Sequence, residues 1–448
     1  MKKLNTIFQS FLSFFSIESL KSVAFEKFSI IKYAFRWTIL ILPVAITVGS
    51  IVAAFLWLLT KATHLRFQHP WLLFLLPVAG VLIHLIYQSI GKSSEKGNNL
   101  ILEEIFKKGN GIPWQMTPVI FLTTILTHLF GGSAGREGTA VQIGGSIAGV
   151  FGKWWQLNEE DTKIILTAGI AAGFGAVFGT PITGAIFSLE VLAIGKMKYN
   201  SLLPALMASV IGDLTVAAWR VKHTAYHIDI LPQSSDAFSQ YLPINLLLLA
   251  KVIIASALFG LASYMFVRMV TSIKIVFSHF ILRKWLIPVT GGLIIIGLTY
   301  LSGKPDYLGL GVDAQYNGAV TISSAFQHGA SGTWSWFWKL VYTAFTLGTG
   351  FKGGEVTPLF YIGATLGNSL SVLLDAPVGL FAALGFIAVF AGATNTPLAC
   401  TVMGVELFGS EYLVFFAVAC FTSYLFSGNI GIYSSQRLSV DKTNSGGQ

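Results

Sequence analysis

The chain has 448 residues, of which 54% are hydrophobic and 11% charged, against roughly 25% charged in an average soluble domain, so an ordinary soluble globule is excluded. Cys400 and Cys420, the two cysteines, both stand in apolar runs, which excludes a disulfide-built secreted domain. The 29 Lys and Arg outnumber the 20 Asp and Glu for a net charge of +9, and on so few charges this points to lipid headgroups or an anionic substrate ahead of nucleic acid.

In chain order, residues 1–35 scatter Lys2, Lys3, Lys21, Lys27 and Lys32 among Phe, Leu and Ile. They lack a compact apolar core with a small-residue cleavage site, so they read as a basic amphipathic surface helix and not a signal peptide. Arg36 at the edge of the first span places the N-terminus on the cytoplasmic side. About 20 apolar residues cross a bilayer as a helix. Runs of that kind occur at Trp37 to Leu59, Trp71 to Ile90, Leu246 to Val270 and Trp285 to Leu301, and Pro377 to Phe426 carries only Glu406 and Glu411 as acids. The fold class is therefore an all-α polytopic membrane protein. Ile164 to Phe178 and Pro181 to Leu189 are short and interrupted by glycine or proline, as expected of broken helices that meet inside the membrane. The tail, 437–448, is short and polar, and no regulatory domain is expected in it.

An internal repeat underlies these runs. Thr180-Pro181 is followed nine residues later by Glu190, and Thr396-Pro397 nine residues later by Glu406. Upstream, Ile143 to Gly149 resembles Ile362 to Asn368 at nearly the same offset, which indicates duplication. The first membrane half is then 36–220, the second 242–436, and the polar stretch 221–241 joins them.

Glycines and isolated charges gather at matching places in the halves. Gly109-Asn110-Gly111-Ile112-Pro113 puts proline where a helix can open. Gly131 to Thr139 reads Gly-Gly-Ser-Ala-Gly-Arg-Glu-Gly-Thr, Gly348 to Pro358 reads Gly-Thr-Gly-Phe-Lys-Gly-Gly-Glu-Val-Thr-Pro, and each leads into an apolar helix. Helix N-termini aimed at one point supply free N–H groups and partial positive charge, the environment a dehydrated anion requires. Glu137, an acid among glycines inside a membrane segment, reads as functional. Glu190 and Glu406 occupy equivalent repeat positions and suit a structural cap as well as transport chemistry. Glu355 has Lys352 as an alternative partner, and Tyr433 also suits an interfacial aromatic.

Taken together, Gly109 to Pro113, Gly135 to Thr139, Gly353 to Pro358 and Tyr433 within Gly-Ile-Tyr resemble the motifs of the CLC anion channels and exchangers. The resemblance covers about Arg36 to Arg437. It implies an inverted repeat of tilted and broken helices, a homodimer with one pore per subunit in the bacterial inner membrane, and both termini cytoplasmic. It also implies Glu137 as the gating and proton-coupling residue. Anion-binding residues by the same resemblance are Asn110, Gly111, Ile112, Gly135, Arg136, Gly138, Thr139, Val356, Thr357 and Tyr433.

Asn110 stands where chloride-carrying members usually have serine, Thr139 where they have proline, and Glu355-Val356-Thr357 where they have Ile-Phe-Ala. These departures resemble the bacterial branch that exports fluoride in exchange for protons. Exchangers often carry two adjacent glutamates after the first Thr-Pro; here Glu190 is followed by Val191, so Glu355 and Glu190 are the candidates for the proton path. A chloride/proton exchanger or passive chloride channel is the alternative within the family.

Gly131 to Gly135 also satisfies G-x-S-x-G, which makes an intramembrane serine hydrolase the alternative from another class, although the segment before it reads as helix and not strand. His223, His227 and Asp229 have metal-like spacing but fall in the polar connection. No phosphate-binding loop or H-E-x-x-H occurs. No cofactor, metal or nucleic-acid partner is expected, and the partners are fluoride, protons, lipid and a second copy of the chain.

Overall fold

The computed structural model describes residues 17–107, 109–224, 226, 228, 245–439 and 442. The start of the basic N-terminal segment, most of the connection with His227 and Asp229, and most of the tail lie outside the described residues. The first helix, α1 (Ile17–Gln68), runs without a break through position 36, because no glycine or proline occurs before Pro43. The division drawn between 35 and 36 therefore falls inside one helix. At ~1.5 Å per residue it exceeds the thickness of a bilayer core and must project or tilt.

A 3-10 turn leads to α2 (Leu76–Ser89), followed by short α3 (Asn98–Phe106), α4 (Met116–Leu129), α5 (Glu137–Trp154), α6 (Glu159–Phe178), α7 (Pro181–Glu190) and α8 (Leu202–Ala218). The second half has α9 (Leu246–Phe280), α10 (Leu286–Ser302), α11 (Ser335–Gly348), α12 (Val356–Leu373), α13 (Val378–Thr394), α14 (Pro397–Phe408) and α15 (Leu413–Phe426). Six helical segments among the described residues are long and apolar enough to cross a membrane. Among the described residues the fold is all-α apart from a two-residue parallel pairing of Ala193–Ile194 with Arg437–Leu438.

The repeat is legible element for element, with α5 and α6 matched by α12 and α13. Each pair is joined where glycine lets two backbones touch. A Cβ on Gly144 would come within 2.0 Å of the Gly169 carbonyl, and one on Gly363 within 2.0 Å of the Gly385 carbonyl. This corrects the reading of Ile164 to Phe178 as a broken segment. Its glycines lie inside a continuous helix and serve packing, because the Asn158 side chain caps its start and Gly179, in the left-handed region, ends it.

The core lies where the halves meet. Phe174 stacks on Phe187 at 4.3 Å, Phe187 on Phe390 at 5.8 Å, and Phe360 on Phe386 at 3.8 Å. Such ring pairs add about 0.5–1.5 kcal/mol each beyond the area they bury. The two glycine-packed helix pairs are joined by Phe178 on Phe360 at 5.4 Å and Phe174 on Phe390 at 6.4 Å.

Candidate functional site

Those two loops build the site. Gly135 donates to the Gly354 carbonyl at 2.6 Å, and Gly354 donates back to Gly135 at 2.8 Å, an isolated antiparallel bridge between the halves. A side chain at Gly354 would strike the amide nitrogens of Gly138 at 2.7 Å and Glu137 at 3.1 Å. Glycine is what allows the N-termini of α5 and α12 to approach this closely. The first loop is anchored from behind: Ser133 N–H donates to Thr346 Oγ1 at 3.0 Å, and its hydroxyl pairs with that of Thr343 at 2.9 Å. His128 contacts the carbonyls of Thr124 and Ala134. Ser133 is thus held by threonines, and His128 is turned to backbone, away from the role a hydrolase would give it.

Glu137 begins α5 with 1% of its surface exposed. Its Oε2 accepts from the backbone N–H of Arg136 at 3.1 Å and of Thr357 at 3.0 Å, while Oε1 accepts the Thr357 hydroxyl. The Arg136 Nε lies 3.6 Å from Oε1. The carboxylate therefore occupies the junction of two helix N-termini, taking donors that have no partner inside their own helices. Hydrogen bonds to a charged group contribute about 1.5–3 kcal/mol each, and the helix ends add to this.

Beside the junction lies a cavity of about 310 Å³, lined by Asn98, Asn99, Gln142, Lys352, Glu355 and Tyr433 among others. A Cβ on Gly138 would lie 3.2 Å from Asn98 Nδ2 and 3.6 Å from Glu355 Oε2, so both side chains border the start of α5. Asn98 Oδ1 is buried without a hydrogen-bond partner. Asn99 Oδ1 accepts from Ser435 N–H at 3.0 Å, and Ser435 donates to Glu103 at 3.0 Å. These two bonds hold the segment after α15, with buried Tyr433, over the cavity.

The structure brings together Gly135, Arg136, Glu137, Gly138, Val356 and Thr357, with Glu355 and Tyr433 on the adjoining cavity. It corrects Asn110, Gly111 and Ile112. Lys153 Nζ donates to the Asn110 carbonyl at 3.3 Å, a Cβ on Gly111 would strike Lys153, and Ile112 packs on Gly149. Lys153 lies in the last turn of α5, about 24 Å along the helix from Glu137 at ~1.5 Å per residue. Pro113 opens no helix, since α4 begins at Met116.

The residues missed are Gly97-Asn98-Asn99 at the start of α3. Their signal is a glycine, here at φ 57°, followed by two asparagines and an apolar run. The Thr139 hydroxyl pairs with that of Thr124, on α4, at 2.8 Å, and Thr139 is not among the residues lining the cavity.

Glu190 accepts from the N–H groups of Leu398 at 3.0 Å and Ala399 at 2.7 Å, at the start of α14. Glu406 accepts from those of Ile182 at 2.9 Å and Thr183 at 2.8 Å, at the start of α7. The glutamate of each half caps the helix of the other, and Glu190 is not among the residues lining the cavity. Outside the site, His223 faces Asp213 at 3.6 Å.

Residues 79–428 match the family described as voltage gated chloride channel. The chain is 44% identical over 423 residues to the chloride/fluoride channel protein of Pseudomonas syringae pv. tomato, covering 93% of this chain and 90% of that relative. It superposes on the crystal structure of a CLC-type fluoride/proton antiporter with a TM-score of 0.83 and 34% identity, over 90% of this chain and 98% of the other. A slow cyanobacterial Cl-/H+ antiporter shares the fold at a TM-score of 0.74 and 19% identity, over 89% and 96%.

The reciprocal caps generate a test of Glu190. Glu190→Ala and Glu406→Ala each leave two helix-start N–H groups unpaired, so each should lower stability by a comparable ~1–3 kcal/mol, read as a fall in the thermal unfolding midpoint of purified protein. Loss of proton movement in Glu190→Ala alone, with no loss of stability, contradicts the capping role.

Proposed function

The chain belongs to the voltage gated chloride channel family, and from that premise we propose that it exchanges fluoride for protons, exporting the anion from the bacterial cytoplasm. The observation that carries this reading is the Glu137 carboxylate seated on the N–H groups of Arg136 and Thr357. An anion and this side chain want the same donors. Protonation of Glu137 removes its charge, weakens its hold on those N–H groups and frees them for the anion. One residue then makes proton and anion alternatives at a single place, the minimum that exchange requires.

The cavity supplies the other parts. Glu355 borders Gly138 and is the group within reach of a displaced Glu137; we assign it to the proton path in place of Glu190, which caps α14. The Thr357 hydroxyl, now on Glu137, serves either the carboxylate or the anion. Fluoride is smaller than chloride and holds water more tightly, so it needs close and numerous donors in exchange. Asn98 offers two N–H donors at the cavity wall, and we assign it the role first given to Asn110. The relatives named for fluoride support this choice of anion. We place the protein as a homodimer in the bacterial inner membrane with both termini cytoplasmic.

Purified protein in liposomes, with fluoride, chloride and proton movement recorded together, tests the reading. Fluoride efflux with opposite proton flow is expected, and Glu137→Gln should abolish the proton signal while altering fluoride flux. Chloride movement without a fluoride preference, or unchanged proton coupling in Glu137→Gln, overturns it. The placement of the donors makes a separate prediction. Asn98→Ser should lower the fluoride-to-chloride flux ratio about tenfold, one hydrogen bond to an ion at ~1.4 kcal/mol, and Asn110→Ser should leave the ratio unchanged.

A further inference from the structure

Near the loop that leads to Glu137, two basic side chains are buried without an ion-pair partner among the described residues. Arg66, near the end of α1, is 5% exposed and Lys339, on α11, is 0% exposed. Neither takes part in an ion pair among the described residues. Lys339 Nζ donates to the carbonyls of Gly309 at 2.7 Å and Tyr307 at 3.2 Å, and stands 5.3 Å from the Tyr361 ring. Arg66 lies 4.8 Å over the Phe67 ring, an Nη2 is 3.7 Å from where a Cβ on Gly309 would be, and its Nε has no partner. Lys339 is thus bonded to the turn Tyr307 to Gly311, and Arg66 lies beside the same turn at Gly309.

Position ties this pair to the transport path. Tyr361 lies one turn of α12 beyond Thr357, about 6 Å along the axis, and Thr357 holds Glu137. Gly131, at the head of the loop leading to Glu137, packs on Arg66 Cδ. The Tyr433 cavity reaches Tyr87 at the far end of α2, whereas Arg66 shares its neighbour Gly131 with Leu73, just before the start of α2.

A guanidinium does not shed its proton, and a buried charge without a partner is costly. Here the missing partner has a place. Arg66 borders a cavity of about 20 Å³ with Thr63, Leu310, Gln315, Ala319 and Val320. That volume admits one particle of about the size of a water molecule, which needs ~10–15 Å³. Fluoride is of that size and chloride is larger. The Gln315 amide oxygen is buried and unpartnered, and the opposite amide orientation turns its NH2 to the same space.

Two acids border the cavity and neither forms an ion pair with Arg66. Asp306 accepts from Tyr316 O–H at 2.7 Å and Val320 N–H at 3.1 Å, and Asp313 stands exposed at the rim.

We propose that Arg66, backed by Lys339 and faced by Gln315, forms a second seat for a small anion, one step along the path from the Glu137 junction. The proposal rests on the reading of the protein as a fluoride carrier. Its consequence is that fluoride is dehydrated in two stages, with a fixed positive charge holding it while Glu137 still occupies the junction.

The test is fluoride flux in liposomes as a function of fluoride concentration, with sodium fluoride titrated into the detergent-solubilised chain in parallel. Arg66→Gln removes the charge, and Thr63→Leu fills the cavity while keeping both cations. Each should raise the half-saturating fluoride concentration at least tenfold. A smaller rise in either folded variant overturns the proposal, and if Arg66→Gln does not fold, Thr63→Leu decides. If the parent chain carries no fluoride, the carrier reading fails on its own and the titration decides the seat. One fewer fluoride bound per chain in Arg66→Gln supports it, and an unchanged number overturns it.

Discussion

Two helix N-termini buried face to face present N–H groups that no helix can satisfy and no water reaches freely. Leaving such donors unpaired costs about 1–3 kcal/mol each, so an acceptor must sit between α5 and α12, and the helix ends favour an anionic one. In this structure it is the Glu137 carboxylate, bound to Arg136 and Thr357. The surrounding architecture serves that contact. Glycine at 354 lets the ends approach, the Gly135–Gly354 bridge sets their register, and the threonines of α11 hold the first loop from behind.

The duplicated fold makes such a junction stable. Each half is a pair of helices pressed together at glycine, Gly144 on Gly169 and Gly363 on Gly385, and the halves are cross-linked by reciprocal caps. α7 and α14 both begin with proline and are too short to be stable alone, so the charge of Glu406 or Glu190 on their first N–H groups supplies part of what length does not. Glu190 caps α14 and does not line the cavity, whereas Glu355 does, which is why the proton path is proposed for Glu355.

Much of this was legible in the chain itself. Apolar runs gave the membrane class, and the repeat emerged from the two Thr-Pro and glutamate pairs. An acid among glycines marked Glu137. What the chain could not show is which of two glycine-asparagine segments approaches the junction. Gly109 to Pro113 matches the expected pattern better, yet Lys153 holds Asn110 at the far end of α5, while Gly97-Asn98-Asn99 lacks the proline and lies beside Gly138. The direction of the Thr139 hydroxyl was hidden for a related reason: it follows the rotation of its helix, which points it at Thr124. Arg66 and Lys339 carried no motif at all, since their isolation from acids is a property of packing.

Exchange by this mechanism requires that an anion and the Glu137 carboxylate compete for the same donors. The most direct measurement is fluoride affinity of the purified protein as a function of pH, with proton uptake recorded during binding. An anion that displaces the carboxylate leaves it to be protonated, so affinity should rise as pH falls, protons should be taken up with fluoride, and both effects should vanish in Glu137→Gln. Fluoride affinity that does not change with pH in the parent chain would contradict it.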